Sequence, residues 1–128
     1  MIKLYNKQTG ELETVVSWNT ATPYFVITKP ITSEDSDVDV SDLFNVTHRR
    51  STAIALGPFK DKKVARICAA VLGLLPMPWD DFSMAVSNQY KDPDPEQEKR
   101  FKALWISLPK EIHTWRKEVS EACMMGEL

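Results

Sequence analysis

Apolar residues run in short, strand-like stretches along the first half of the chain and fall at helical spacing along the second. Lys3 to Asn6 reads as an extended run closed by the turn residues Gln8-Thr9-Gly10, and Leu12, Val15, Val16 and Trp18 form a second strand of imperfect alternation. Tyr24-Phe25-Val26-Ile27-Thr28, set between Pro23 and Pro30, is almost continuously apolar and β-branched. That pattern predicts a strand covered on both faces or one at an element's edge. Leu43 to His48 and Thr52 to Leu56 predict two more strands, joined by a polar hairpin turn at Arg49-Arg50-Ser51.

From Asp61 the period changes. Val64, Ile67, Cys68, Val71, Leu72 and Leu75 recur at three- and four-residue intervals, which predicts an amphipathic helix started by Asp61 and stopped by Gly73 and Pro76. Each proline of Pro76-Met77-Pro78-Trp79 pushes its predecessor out of the α region, so an extended turn follows. Asp80 is placed to cap a short helix through Phe82, Met84, Ala85 and Val86 to near Gln89. After the break at Lys91-Asp92-Pro93, Asp94 and Pro95 are placed as cap and first residue of a helix with Phe101, Leu104, Trp105 and Leu108 on one face. Pro109 interrupts it, and Glu111 to Met124 continues with Ile112, Trp115, Val119 and Cys123. Strands first and helices second predict an α+β fold: an N-terminal, mainly antiparallel sheet of four to five strands against three to four C-terminal helices. The expected unit is one domain, strand-rich over 1–57 and helix-rich over 60–125.

Composition adds bounds. A chain of 128 residues, 43% hydrophobic and 27% charged, is of one-domain size with enough apolar mass for a core. A formal charge of −2 argues against a dedicated duplex-DNA binder, which more often carries a basic excess. The start, Met1-Ile2-Lys3-Leu4-Tyr5, has no long apolar run, so the expectation is a cytoplasmic protein with Cys68 and Cys123 as reduced thiols. Asn45-Val46-Thr47 fits a glycosylation acceptor, a match of little weight without secretion.

The most unusual local feature is the acidic stretch at 32–42. Asp35, Asp37 and Asp39 open with the spacing of a calcium loop, but Val40 stands where the loop needs glycine and Val46 where it needs glutamate. A solvated loop is the plain reading. The functional one is a negative ridge of Glu34, Asp35, Asp37, Asp39 and Asp42 offered to a basic protein partner, with Trp79 either a packed residue or an exposed anchor. The opposing basic set is His48, Arg49 and Arg50 at the hairpin turn, with Lys60, Lys62, Lys63 and Arg66 at the helix start. If the hairpin folds onto the helix start, Arg49, Arg50, Lys62, Lys63 and Arg66 merge into a patch for nucleic-acid phosphates. Neither His48, His113, Cys68 and Cys123 nor any carboxylate pair has the spacing of a metal or catalytic site, so no cofactor is expected. Trp105 and Trp115 read as core residues.

Residues 54–72, from Ile54 through Gly57-Pro58-Phe59 to Leu72, resemble the strand-to-helix segment of the peptidoglycan-binding SPOR domain. The strand which that family places after the helix is replaced here by Pro76-Met77-Pro78-Trp79, so only the strand-to-helix device carries over. The strand-and-helix order from Tyr24 to Leu75 is similar to the small DNA-binding domains at the N-termini of tyrosine integrases, which implies a sheet face on DNA; Lys29, Arg49 and Arg50 are the cations on those strands. Size, acidity and the missing catalytic motif also resemble small bacteriophage and prophage proteins that disable host factors. The expectation is a non-catalytic protein-binding module acting through the acidic loop. Nucleic-acid binding through the basic residues is the alternative.

Overall fold

A computed structural model of the chain describes residues 2–6, 10–30, 42–80 and 95–128. Among them are two antiparallel sheets and three helices, an α+β fold. Strand β1 (Ile2–Asn6) pairs with β2 (Glu11–Val15). Strands β3 (Ser17–Asn19), β4 (Phe25–Thr28), β5 (Phe44–His48) and β6 (Ile54–Phe59) form a sheet in that order. The single strand expected from Leu12 to Trp18 is therefore two. Val15 lies opposite Ile2 and Ser17 opposite Thr28, so the chain changes partners at Val16, whose side chain is half exposed.

All four residues of β4 are buried, as the unbroken apolar run predicts for a strand covered on both faces. Phe25 and Ile27 turn with Val46, Leu56 and Phe59 into the main core, and Thr28 meets Thr47 through a hydroxyl pair at 2.8 Å. The β5–β6 turn is longer than the three residues expected: Thr52 belongs to it, with φ of 61° and its N–H on the His48 carbonyl at 2.7 Å. Asn45 is only 4% exposed within β5, so the glycosylation tripeptide is closed to an enzyme in the folded chain.

Helix α1 (Lys62–Leu74) begins as the sequence predicts, the Asp61 carboxylate accepting the Lys63 N–H at 2.8 Å. Asp61→Ala is expected to lower stability by about 1 kcal/mol, read by urea denaturation; a change near zero would mean that the exposed cap contributes nothing. Ala65, Cys68, Ala69 and Leu72 face the sheet, but Ile67 is 64% exposed, a correction to the expected stripe. Buried alanines set the helix close to the sheet and turn its axis so that Ile67 faces outward. Gly73 does not end the helix. A Cβ there would lie 2.4–2.8 Å from Thr22 side-chain atoms, so its role is close approach to the β3–β4 connection. Pro95 opens α2 (Pro95–Ser107) and Pro109 interrupts the helical run, both as expected, with α3 (Lys110–Met124) starting one residue earlier than the expected Glu111. The helix expected from Asp80 to Gln89 and the Asp94 cap lie outside the described residues from 81 onward. The Leu128 carbonyl accepts the N–H groups of Lys60 at 2.7 Å and Asp61 at 3.1 Å, fastening the segment after α3 to the start of α1. No helix among the described residues is long and apolar enough to cross a membrane.

Candidate functional site

His48 stands at the centre of a polar cluster inside the core. It ends β5, is 1% exposed, and meets the Trp79 carbonyl through Nε2 at 2.7 Å and the Ser51 hydroxyl through Nδ1 at 2.7 Å. A carbonyl only accepts, so its partners assign the proton to Nε2, and Nδ1 accepts from the Ser51 hydroxyl and from the Ser51 N–H at 3.3 Å. The Ser51 oxygen in turn accepts the Ala53 N–H at 3.2 Å. Burial lowers the His48 pKa; the Trp79 carbonyl and the Asp80 charge oppose that shift, and Arg50 adds to it. The imidazole is thus neutral near pH 7. A Ser–His pair at 2.7 Å resembles an activated nucleophile, but Ser51 and His48 are both sealed from solvent, and here the pair ties the hairpin turn to the segment after α1.

Trp79 is 2% exposed, which corrects its reading as an exposed anchor. After α1 the prolines fix the chain path, and the Trp79 indole N–H donates at 3.1 Å to the Leu72 carbonyl, which also accepts the Leu75 N–H at the helix end. Its ring packs edge-on against Phe25 at 4.9 Å and beside Phe101 at 6.1 Å. Trp105 and Trp115, expected in the core, are only partly buried; Trp105 lies against Phe101, His113 and the Arg116 guanidinium.

The basic residues do not merge as expected. Phe44, at the start of β5, lies under Lys62, whereas His48, at its end, reaches Trp79 beyond the end of α1. Arg49 and Arg50 therefore sit at the opposite end of α1 from Lys62 and Lys63, and thirteen helical residues separate the ends by about 20 Å. His48 leaves the basic set because it is buried and neutral.

A different cation cluster takes shape instead. Trp18 of β3 meets Phe44 of β5 edge-on at 5.7 Å, because Trp18 is opposite Ile27 and faces the same side of the sheet. The Lys62 ammonium lies 4.6 Å from the Trp18 ring centre and 5.9 Å from that of Phe44, and Lys29 lies 4.9 Å from Phe44. At the far end of β3, the Arg49 guanidinium donates to Asn19 Oδ1 at 3.1 Å while its backbone N–H is fixed on the Tyr24 carbonyl at 2.9 Å. Trp18 and Phe44 were not legible as site residues. Only the register of three strands brings them together.

Of the acidic set, Asp42 is exposed at the start of β5, and Glu34, Asp35, Asp37 and Asp39 lie outside the described residues. The outer side of α1 carries Lys63, Arg66, Ile67 at 64% exposure and Leu74 at 85%, and the helix contains no acidic residue. Met124 and Met125 are exposed where α3 ends, close by Cys123, whose nearness to Cys68 joins with burial to push the Cys68 thiol up to about 11. Both thiols are buried, and burial likewise raises Cys123. An open depression of about 350 Å³ on α3 is lined by Lys110, Glu111, Thr114, Trp115 and Glu118. No group of three metal-ligating side chains occurs among the described residues. Set beside known proteins, the chain matches no family model, no curated protein and no solved structure.

Proposed function

We propose that the protein is a non-catalytic protein-binding module of the cytoplasm, of the kind a phage or prophage uses to modulate a host factor. The observation that carries this reading is the outer face of α1. Ile67 and Leu74, two turns apart on one stripe, expose 64% and 85% of their surface, and Ala70 between them is half-buried. A solvent face of a helix ordinarily carries charge at such positions, and an exposed apolar stripe is the usual mark of a partner surface. The acidic segment gives the same module a second, charged element: it leaves the sheet after β4 and returns through exposed Asp42 into β5.

The test is affinity co-purification of the tagged chain from bacterial lysate after nuclease treatment, read by mass spectrometry. Wild-type protein is expected to retain a stoichiometric protein partner. Ile67→Gln/Leu74→Gln should lose it, and Asp35→Asn/Asp37→Asn/Asp39→Asn should weaken it, each with thermal unfolding within a few degrees of wild type. Equal retention by all three proteins would remove both surfaces from the mechanism, and the absence of any stoichiometric protein partner after nuclease treatment would overturn the protein-binding reading.

A further inference from the structure

Strand β3 is the outermost of the four-stranded sheet, and no described strand pairs along its free side. Its three residues extend over about 10 Å. On the Trp18 side of that strand the fold sets one half-buried indole beside two cations, Lys62 and Lys29, whereas Arg49 meets Asn19, whose side chain alternates to the other face of the sheet. We propose that this edge binds single-stranded nucleic acid, with a base stacked on Trp18 and backbone phosphates on Lys29 and Lys62.

The chemistry favours that ligand over other anions. Both ammoniums rest on aromatic rings, Lys62 on those of Trp18 and Phe44 and Lys29 on that of Phe44. Side chains restrained in this way lose less entropy on meeting a phosphate than free lysines do. An aromatic face beside a row of positive charge is the arrangement by which unpaired bases are bound, since every base offers a flat face and every nucleotide a charge. A duplex keeps its bases stacked internally and has none to offer Trp18. An acidic peptide matches the charge but leaves the indole unused. Lys60, Lys63 and Arg66 on the adjoining turn extend the positive field, while the Asp61 carboxylate is engaged in capping α1. The patch is distinct from the α1 stripe of Ile67 and Leu74, so either reading can fail without the other.

Fluorescence anisotropy of a labelled single-stranded oligothymidylate, titrated with the full chain at low salt, tests the proposal. Binding is expected to weaken as salt rises. Lys62→Gln and Lys29→Gln should each lower the slope of log K against log salt by about 0.7, the loss of one single-strand phosphate contact. Trp18→Leu, which keeps an apolar side chain at a half-buried position, should cost between about fivefold and a hundredfold in affinity, the range for removing one stacked base. Circular dichroism melts establish that the variants are folded, and the two lysine substitutions keep the test valid if Trp18→Leu is not. Three outcomes would overturn the proposal: no anisotropy change at low salt, wild-type affinity in Lys62→Gln and Lys29→Gln, or competition by polyglutamate as effective as by unlabelled oligothymidylate of matched charge. The last would move the edge to acidic protein surfaces.

Discussion

Replacing His48 by alanine is expected to cost about 3 kcal/mol or more. The substitution leaves a void in the core and strips partners from the Trp79 carbonyl and from the Ser51 hydroxyl and N–H, all of them buried with the imidazole. His48→Phe separates the two causes. It fills the ring volume but restores none of the three hydrogen bonds, so its cost of about 2 kcal/mol isolates the polar part. Urea denaturation measures both, and similar small losses would mean that the cluster is incidental to stability. The same residue sets a pH dependence. Burial holds the folded-state pKa below the ordinary 6.5, so above that value the imidazole is neutral in both states and contributes nothing to pH dependence. As pH falls through 6.5 the unfolded chain takes up a proton that the native chain refuses. Stability therefore falls, by at most about 1.4 kcal/mol per pH unit, until the folded-state pKa is reached. Protonation of Nδ1 would also set two donors, the ring N–H and the Ser51 N–H, against each other. The His48→Phe protein should lack this component of acid sensitivity, and an unchanged acid limb in that variant would assign the effect to carboxylates.

How much of this was legible in the sequence depends on whether the deciding contact was local. Asp61, Pro95 and Pro109 act on their own turns of helix, and each marks its boundary where the structure has it. The almost unbroken run of β4 left two readings, a strand covered on both faces or one at an element's edge, and its four buried residues decide for the first. The site residues were decided at long range. Trp79 is buried because its indole finds the Leu72 carbonyl and its own carbonyl finds His48, neither of which a run of prolines reveals. His48 reads as a surface base beside two arginines. One position of strand register turns it inward, and that register is set by pairing with Phe25. The basic residues of turn and helix were legible as cations but not as separate groups, because only the direction of β5 beneath α1 tells which end of the helix Arg49 reaches. The change of partner at Val16 has no local mark at all: β2 and β3 differ in whom they pair with, and composition carries no record of that.

Gly57→Ala is expected to be comparably damaging, and it connects the fold to the proposed nucleic-acid edge. Gly57 lies within β6 at φ of +136°, a conformation that L-residues rarely adopt, and an added Cβ would stand 2.4 Å from Asn45 Oδ1 and 3.2 Å from Asn45 Cα. Asn45 has no room to retreat: it is 4% exposed, on β5, at the point where the β5–β6 register shifts between Phe44 and Val46. Backbone strain and overpacking together should lower stability by about 3 kcal/mol, measured by urea denaturation. The Gly57→Ala/Asn45→Ala double variant removes the Oδ1 contact but not the strained φ, so it should recover part of the loss relative to the sum of the single changes. Additive single costs would show that the side-chain contact is irrelevant and that the φ angle carries the whole effect. Phe44 is the residue next to Asn45, and the Lys29 and Lys62 ammoniums rest on its ring. If β5 yields to make room for the new methyl group, that support moves with it. Oligothymidylate affinity of the folded fraction should then fall in Gly57→Ala although no binding residue has been changed. An affinity equal to wild type, in protein shown to be folded, would mean that the strand holds its place and that β6 takes up the displacement alone.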